Sequence, residues 1–299
     1  MKDTKLYTHK KNESEIFITE TSRISDNHFE AKFKLITSHY FYSDFLACTT
    51  KINPLFLLEC ARQAETYLSH TEFGIALDSK FLLDSWSITY YPTKFKHTEA
   101  LKADIYTEYS SIKKTNKNVF NIIFKIDETT IASVKINVRY ITGHCYKLIR
   151  KSPDKITSTG VILPLPPIYV CYSIQGNVIL ANLNDTGPYI NAIININKYN
   201  KSFNDHEQDH ITGMNLTEAA KQLCYSYLSI YMEERIDRFI PVNMSGNFFS
   251  YVEKHIPTVV ILKKIELQHD HDVYSFDVDI TQNEKTLATI NLKLRGIYG

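Results

Sequence analysis

The sequence predicts an α+β fold that occurs twice in one chain, each copy being a long helix wrapped by an antiparallel sheet. The chain has 299 residues, enough for two domains of about 150 residues each. Segment 57–63, LLECARQ, returns as segment 216–222, LTEAAKQ, with acid, base and amide in the same relative places. Segment 128–138, ETTIASVKINV, also returns as segment 284–294, EKTLATINLKL. Two segments that recur in the same order indicate a duplicated fold.

A central helix is predicted in each copy. In the first copy, Asn53 and Pro54 are typical of a helix cap and first turn, and the helix runs to about His70 before Gly74 stops it. Apolar side chains cover most of its circumference, which predicts a helix enclosed by other structure. The second copy has the corresponding helix at about 213–234.

Short runs rich in β-branched and aromatic residues surround each helix and read as strands. In the first copy these runs are 16–19, 29–36, 81–91, 101–109, 119–126 and 131–140. In the second copy they are 169–173, 178–181, 189–196, 248–252, 259–267, 274–280 and 287–294. Closely spaced strands favour antiparallel neighbours, so each sheet should curl around its helix. This arrangement is the double hotdog architecture.

A basic, then polar, then proline-rich stretch separates the copies. It ends in LPLPP at positions 163–167, a composition that interrupts regular structure. We therefore expect a first repeat at 1–150, a linker at 151–167 and a second repeat at 168–299.

Composition excludes several classes of protein. With 43% apolar residues, 22% charged residues and a net charge of +1, neither disorder nor electrostatic binding of nucleic acid is indicated. The N-terminus lacks the apolar stretch of a secretory signal, and no segment has the length of apolar sequence that spans a bilayer. Five cysteines without a Cys-x-x-Cys pair indicate reduced thiols rather than disulfides or zinc. The expectation is a cytoplasmic protein without a metal or cofactor, and without a nucleic-acid or membrane partner.

Both central helices present a polar face made of an acid, a cation and an amide. Glu59, Arg62 and Gln63 stand at i, i+3 and i+4, so they share one side of the first helix. The equivalent residues of the second helix are Glu218, Lys221 and Gln222. A carboxylate in an apolar cleft can have its pKa raised toward neutrality, which suits a general base, and Glu59 is the first candidate. A structural ion pair remains the alternative interpretation.

The histidines suggest acid–base chemistry as well as loop packing. His206 and His210 are four residues apart, and Asp209 precedes His210, but the surrounding loop offers no complete set of metal ligands. In hotdog dehydratases a histidine in the loop before the central helix works with an acid on that helix, so His210 or His206 is a candidate for acid–base assistance to Glu59 or Glu218. Loop stabilisation is the equal alternative. His39 occupies the corresponding loop of the first copy and could instead pack under an aromatic lid. Segment 269–272, HDHD, is predicted to be an exposed hairpin turn.

Several of these motifs resemble those of a known family. The first copy is similar to the first repeat of the A-factor biosynthesis (AfsA-like) hotdog family in THK at 8–10, PLFLLECARQ at 54–63, LSHTEFG at 68–74 and FLLD at 81–84. The second copy resembles the second repeat of that family in DHITGM at 209–214 and EAAKQ at 218–222. The resemblance covers nearly the whole chain. One departure is Lys221, where the family usually has arginine, so a cation is kept without the planar bidentate fork.

The resemblance implies an acyltransferase. The implied reaction condenses a β-ketoacyl thioester, carried by acyl carrier protein or coenzyme A, with the hydroxyl of dihydroxyacetone phosphate. Its product leads to γ-butyrolactone or butenolide signalling molecules. For this reaction the candidate catalytic residues are Glu59, Glu218 and His210, and Arg62 and Lys221 are the candidate phosphate contacts. The other candidate substrate contacts are Gln63, Gln222, His39 and Asp209.

Two other classes of function stay open from the sequence. A histidine loop before an acid-bearing helix also fits a double-hotdog dehydratase or thioesterase acting on acyl thioesters. The lysine at position 221 leaves room for a non-catalytic acyl-binding module. Fold alone does not decide among them.

Overall fold

A computed structural model describes residues 3–36, 38–48, 52–93, 100–112, 115–150, 161–268 and 272–297. Contacts divide the chain into two compact units. The first unit contains residues 1–37 and 56–154, and the second contains residues 38–55 and 155–299. Segment 38–55 therefore belongs to the second unit, although its sequence position lies within the expected first repeat. Of the expected linker, residues 151–160 lie outside the described part of the chain.

The first unit is an antiparallel sheet with a buried helix. Its strands are β1 (Ile18–Arg23), β2 (His28–Phe33), β3 (Lys80–Tyr90), β4 (Leu101–Thr107), β5 (Ser110–Ile112), β6 (Thr115–Ile126) and β7 (Thr129–Ile141). Its helices are α1 (Thr4–Tyr7), residues 56–71 of α2 (Pro54–Thr71), and α3 (Gly143–Ile149). The strand order is β1-β2-β4-β6-β7-β3, and β5 pairs with β6. The predicted strands and central helix of this copy are confirmed.

The second unit repeats this plan around its own helix. Its strands are β8 (Leu180–Asn184), β9 (Asn191–Ile194), β10 (His210–Ile211), β11 (Phe239–Phe248), β12 (Val252–Glu253), β13 (Val259–Gln268), β14 (Val273–Gln282) and β15 (Lys285–Gly296). The strand order is β11-β15-β14-β13-β9-β8, all antiparallel, and β10 pairs with β12. The central helix is α4 (Gly213–Ile230), which contacts six of these strands.

Both central helices are enclosed by their units. Every residue from Pro54 to His70 in α2 is buried except Arg62. In α4, residues 215–226 are all buried. Enclosure explains why the helices are apolar around most of their circumference, and it makes the polar side chains on them conspicuous, since each needs a partner.

The duplicated hairpins share a turn geometry. Asp127 and Glu128 between β6 and β7 both have positive φ, at 46° and 62°, and Asn283 and Glu284 between β14 and β15 have 48° and 63°. Two consecutive left-handed residues form the hairpin turn whose twist matches that of the strands. The second recurring sequence segment is therefore a recurring hairpin.

Three local predictions for the second copy are wrong. Segment 169–173 is not a strand, because a 3-10 helix at Pro167–Val170 ends in Cys171 with φ of 66°. No single strand covers 248–252. The strand β11 begins at Phe239 and ends at Phe248, and the short β12 begins at Val252. The central helix ends at Ile230 and not at 234. The turn predicted at 269–272 falls mainly on residues 269–271, outside the described residues.

Among the described residues, no helix has the length and apolar character needed to cross a bilayer.

Candidate functional site

The acid, cation and amide on α2 form one cluster in the first unit. Arg62 donates two hydrogen bonds to Glu59, from Nε to Oε2 at 2.9 Å and from Nη2 to Oε1 at 2.8 Å. Such a bidentate pair is the strongest geometry available to an arginine and a carboxylate. Glu59 is 4% exposed at its side chain, whereas Arg62 retains 31% exposure. The cluster therefore has an enclosed acid and a partly accessible cation.

A second cation completes this cluster. Lys10, in the segment after α1, places Nζ 2.9 Å from Oε1 of Glu59, with 9% of its side chain exposed. Sequence reasoning did not include Lys10 among the site residues. The available signal was the THK motif at 8–10, which matched the family but lies far from the helix in sequence. Two cations, Arg62 and Lys10, thus contact the same carboxylate.

The glutamines of both helices act as clamps. Oε1 of Gln63 accepts a hydrogen bond from the backbone N–H of Phe17 at 2.8 Å, and its Nε2 donates to the backbone oxygen of Glu15 at 2.7 Å and to Oε1 of Glu59 at 2.8 Å. In the second unit, Gln222 binds the backbone N–H of Ile179, the backbone oxygen of Asn177 and Oε1 of Glu218 in the same way. Both donors of each amide are used, so each glutamine positions its glutamate against the sheet.

The environment of Glu59 corrects one expectation from the sequence. Burial acts to raise the pKa of this carboxyl, but the charges of Arg62 and Lys10, with hydrogen bonds from Arg62 and Gln63, outweigh burial and lower the pKa well below its usual range. Glu59 is thus ionised at neutral pH and weakly basic while both cations hold it. The expected upward shift is wrong for this arrangement of charges.

The equivalent cluster in the second unit is sealed. Nζ of Lys221 lies 3.0 Å from Oε2 of Glu218, and the side chains of both residues are 1% exposed. Lys221 also donates to the hydroxyl of Tyr172 at 2.9 Å. Its ammonium lies 3.8 Å from the ring centroid of Phe45 and 4.9 Å from that of Tyr172. An ion pair covered by aromatic rings balances its own charge and leaves no exposed cation.

Tyr172 and Phe45 were not found by sequence reasoning. Tyr172 lies just after the 3-10 helix at Pro167–Val170, and Phe45 lies in segment 38–55. The two rings are 5.6 Å apart, and Phe45 also packs edge-on against Tyr225 at 5.4 Å. Neither position has a local motif that signals contact with a helix far away in sequence.

His210 contacts residues of its own surroundings and not the glutamate of the central helix. Nδ1 of His210 lies 2.7 Å from Asp209, and its ring packs edge-on against Tyr251 with centroids 4.8 Å apart. His210 lies on β10, while the carboxylate of Glu218 is engaged by Lys221 and Gln222. No group of three or more His, Cys, Asp or Glu side chains suited to a metal ion occurs within the described ranges.

His39 belongs to the second unit and organises its own turn. Its Nδ1 accepts hydrogen bonds from the backbone N–H groups of Phe41 and Tyr42, both at 3.3 Å, and its ring stacks on Tyr40 at 4.6 Å. Its backbone N–H donates to Ser43 at 2.9 Å. These contacts match the packing alternative raised for His39 in the sequence.

A further polar cluster lies in the second half of α2. Oε1 of Glu65 is 3.1 Å from the hydroxyl of Ser69 and 3.4 Å from that of Tyr140, while Thr66 donates to Oε2 at 3.0 Å. Burial raises the pKa of Glu65 to about 7, despite hydrogen bonds from Thr66 and Ser69 that act the other way. Sequence reasoning missed Glu65, because no equivalent acid follows the glutamine in the second copy.

The segment carrying Lys10 has a second anchor on α2. Nε2 of His9 lies 2.8 Å from Nε2 of His70. Nδ1 of His70 is 2.6 Å from the carbonyl oxygen of Ile75, which can only accept, so Nε2 of His70 is the acceptor and His9 donates. The N-terminal segment thus lies along the polar face of α2 and holds Lys10 against Glu59.

Comparison with known proteins finds one related enzyme and several structures of similar fold. The chain is 24% identical over 258 residues to 2-oxo-3-(phosphooxy)propyl 3-oxoalkanoate synthase of Streptomyces virginiae, covering 83% of each chain. Among solved structures, 12:0-ACP thioesterase from Umbellularia californica matches with a TM-score of 0.53 at 9% identity, over 92% of this chain and 100% of that one. A protein provisionally assigned as an oleoyl thioesterase from Lactobacillus plantarum matches with a TM-score of 0.51, also at 9% identity, over 91% and 97%.

The two solved structures show the hotdog fold and no more than the fold. The model of the A-factor biosynthesis hotdog domain matches residues 4–142 and again residues 154–297, one match for each copy. These matches span almost the whole chain, so the chain belongs to the A-factor biosynthesis hotdog domain family.

Proposed function

We propose that this protein is an acyltransferase that condenses a β-ketoacyl thioester with dihydroxyacetone phosphate at the Glu59 cluster. The family and the name of the Streptomyces virginiae relative support this choice. That name describes an ester between a 3-oxoalkanoate and a phosphorylated three-carbon ketone. Such an ester is the expected precursor of a γ-butyrolactone or butenolide signal.

The observation that supports the proposal most strongly is that two cations contact Glu59 and one of them stays accessible. Lys10 and Arg62 lie 2.9 Å and 2.8 Å from the carboxylate, and Arg62 is partly exposed. A phosphate monoester carries up to two negative charges and accepts bidentate hydrogen bonds from a guanidinium. Arg62 and Lys10 are therefore the proposed phosphate contacts.

Phosphate binding would also activate the base. The pKa of Glu59 is held down by the two cations, whereas burial alone raises it. When the phosphate of the acceptor substrate takes up part of their charge, the contribution from burial regains weight and Glu59 becomes more basic. The basicity of Glu59 thus depends on the presence of the correct acceptor. When the acceptor is absent, Glu59 is too weak a base to activate water against the thioester.

The proposed chemical step is a single acyl transfer. Glu59 accepts the proton of the acceptor hydroxyl as its oxygen attacks the thioester carbonyl, and collapse of the tetrahedral intermediate breaks the C–S bond. The proton held by Glu59 then passes to the departing thiolate, so the products are the phosphorylated ester and the free thiol. The hydrogen bond from Gln63 holds the carboxylate of Glu59 in position during this step.

The proposal gives the second cluster a structural role. Glu218 and Lys221 neutralise one another and are 1% exposed, so neither is offered to a substrate. The sequence predicted catalysis at both acids, and the proposal keeps it at Glu59 alone. Lys221 in place of the usual arginine fits this role, because a single ammonium fits between two aromatic rings where a guanidinium fork would need more room.

The direct test is product formation. Purified protein is incubated with a β-ketoacyl thioester and dihydroxyacetone phosphate, and the phosphorylated ester is measured by mass spectrometry. Glu59→Gln should lower the rate by a factor of about 10² to 10⁴, as expected for loss of a general base. Circular dichroism and a thermal melt check that the variant folds.

Two outcomes would contradict the proposal. Thiol release at the same rate with and without the phosphate acceptor would indicate a thioesterase instead. Undiminished ester formation by folded Glu59→Gln would remove Glu59 from the mechanism.

A further inference from the structure

The second unit contains a cavity of about 550 Å³ that the proposed chemistry does not use. We call it the isoleucine groove, because six isoleucines and a proline dominate the apolar part of its wall. The apolar lining residues are Ile162, Ile193, Ile194, Ile196, Ile211, Ile256 and Pro257. The volume lies within the usual range for small-molecule sites, and the wall is mostly apolar as such sites are.

Positive charge borders this apolar wall. Lys198 and Lys254 line the groove, and both are exposed. Nζ of Lys254 is 3.5 Å from Asn204, too far for a strong hydrogen bond. No acidic residue is among the lining residues in the described part of the chain. A ligand that complements this groove is therefore aliphatic and carries an anionic group.

A ring nitrogen without a partner fits the same kind of ligand. His255 lines the groove, and its Nε2 is shielded from solvent without a hydrogen-bond partner in the described structure. A buried polar atom without a partner costs roughly 1–3 kcal/mol, so a bound group that satisfies it would be favoured. The imidazole can donate this hydrogen bond to an oxygen of an anion.

The wall that bears His255 is held rigidly. Nε2 of Gln282, on β14, contacts the backbone oxygens of Glu253 and Ile256 and the hydroxyl of Thr258, at 2.7, 3.0 and 2.8 Å. Its Oε1 accepts from the backbone N–H of Glu253 at 3.0 Å. The loop at 253–258 is thus fixed from both ends, which preorganises one side of the groove.

The neighbouring edge of β8 has no room for a peptide strand. Segment 163–165 already occupies the edge of β8, with the Leu165 N–H donating to Leu180 at 3.0 Å and the Asn182 N–H donating to Leu163 at 2.9 Å. Adding a peptide strand would need these backbone groups. The apolar wall with its bordering cations fits a chain without backbone donors better.

We propose that the isoleucine groove binds a medium-chain fatty carboxylate, with its alkyl chain along the isoleucines and its carboxylate at Lys198, Lys254 and His255. This ligand site goes beyond the proposed acyl transfer. It gives the protein a means of sensing or retaining a free fatty acid.

The test is isothermal titration calorimetry of the full-length protein with octanoate, decanoate and dodecanoate. Each added methylene should tighten Kd about fourfold, as expected for burial of one CH₂. Methyl dodecanoate, which lacks the charge, should bind at least tenfold more weakly than dodecanoate. The Lys198→Ala/Lys254→Ala double variant should lose the same factor, and its binding should no longer weaken as salt is raised.

Groove-filling variants locate the site. Ile193→Trp and Ile196→Trp should each abolish binding, and two variants are used because either could disturb β9. Ile230→Trp, at the exposed end of α4, is the matched control and should bind as the unmodified protein does. Absence of binding to the unmodified protein, equal affinity for the methyl ester, or full affinity in both folded groove variants would overturn the proposal. Because titration needs no turnover, failure of acyl transfer would leave this result unaffected.

Discussion

Two glutamates at equivalent positions of a duplicated helix have opposite surroundings. Glu59 faces two cations, of which the guanidinium of Arg62 is accessible, whereas Glu218 faces one ammonium beneath aromatic rings. In a buried pair, loss of one partner leaves an uncompensated charge, while loss of both can be nearly neutral. The balance of charge, and not the identity of the acid, separates the proposed catalytic residue from a structural one.

Variants of the sealed pair test this distinction. Lys221→Met should destabilise the protein by about 3–5 kcal/mol, because Glu218 remains buried without its cation. The Glu218→Gln/Lys221→Met double variant should recover most of that loss and retain ester formation. Urea unfolding and the acyl transfer assay measure the two effects. A folded double variant without activity would show that the second cluster takes part in catalysis.

Glu65 predicts a pH dependence of stability. Its pKa is about 7 in the folded protein and its ordinary value is 4.5, so between these values the folded protein holds a proton that the unfolded chain has released. Its stabilising contribution is therefore complete below pH 4.5 and is lost as pH rises through 7, by roughly 3 kcal/mol in all.

Measurement of urea unfolding at pH 5 and pH 8 checks this sign. Glu65→Gln should reduce the loss of stability between these two pH values. Glu59 does not interfere in this range, because its lowered pKa removes stability only as pH falls below 4.5. An unchanged pH dependence in Glu65→Gln would show that this carboxyl is ionised in the folded protein.

The glutamine clamps act at the scale of a helix and the segment leading into its sheet. Replacing Gln63 by Met removes four described hydrogen bonds, and replacing Gln222 by Met removes three. In each case a buried backbone N–H loses its side-chain acceptor. Each substitution should cost about 2–4 kcal/mol, since an unsatisfied buried group costs about 1–3 kcal/mol. Only Gln63→Met should also lower kcat for acyl transfer, because only Gln63 orients Glu59. Equal loss of kcat in both folded variants would contradict this difference.

Periodicity predicts the regular elements well where local sequence and burial agree. The strand β7 alternates Val134, Ile136 and Val138 with less buried residues, and the helix α2 starts at Pro54 as its cap predicts. Similarly, the face shared by Glu59, Arg62 and Gln63 follows from helix geometry alone, and the structure joins all three. These features depend on neighbours in sequence.

The two wrong strand predictions come from proline and glycine. The run 169–173 is apolar enough for a strand, but Pro166 and Pro167 fix φ and begin a 3-10 helix instead. Pro241 and Gly246 argue against a strand over Phe239–Phe248, yet the register shifts between Pro241 and Asn243, so the proline lies at an irregularity in the β11–β15 pairing. Lys10, Phe45 and Tyr172 were missed for another reason, because long-range contacts between side chains have no local signal.

At the scale of the whole molecule, the duplicated sequence does not divide into two independent pieces. Segment 38–55 belongs with residues 155–299. Asp44 in this segment accepts hydrogen bonds from the hydroxyl of Ser173 and from the side chain of Asn177 at 2.8 Å, and Phe41 stacks on Tyr172 at 5.6 Å. Phe45, the ring nearest the ammonium of Lys221, thus comes from a part of the chain that precedes the first central helix, and Phe41 and Asp44 from the same part hold the segment around Tyr172.

The inclusion of segment 38–55 in the second unit predicts how fragments of the protein behave. Residues 155–299 alone keep Tyr172 but lack Phe45 over Lys221, so the buried ion pair gains access to water and cooperative unfolding should be weakened or lost. A synthetic peptide of residues 38–55 should restore a cooperative transition, because it returns Phe41, Asp44 and Phe45 to their partners. Thermal unfolding followed by near-ultraviolet circular dichroism measures this, with the Phe45→Ala peptide as the matched control. A fragment that unfolds cooperatively without the peptide would show that the second copy is complete by itself, and that segment 38–55 only covers it.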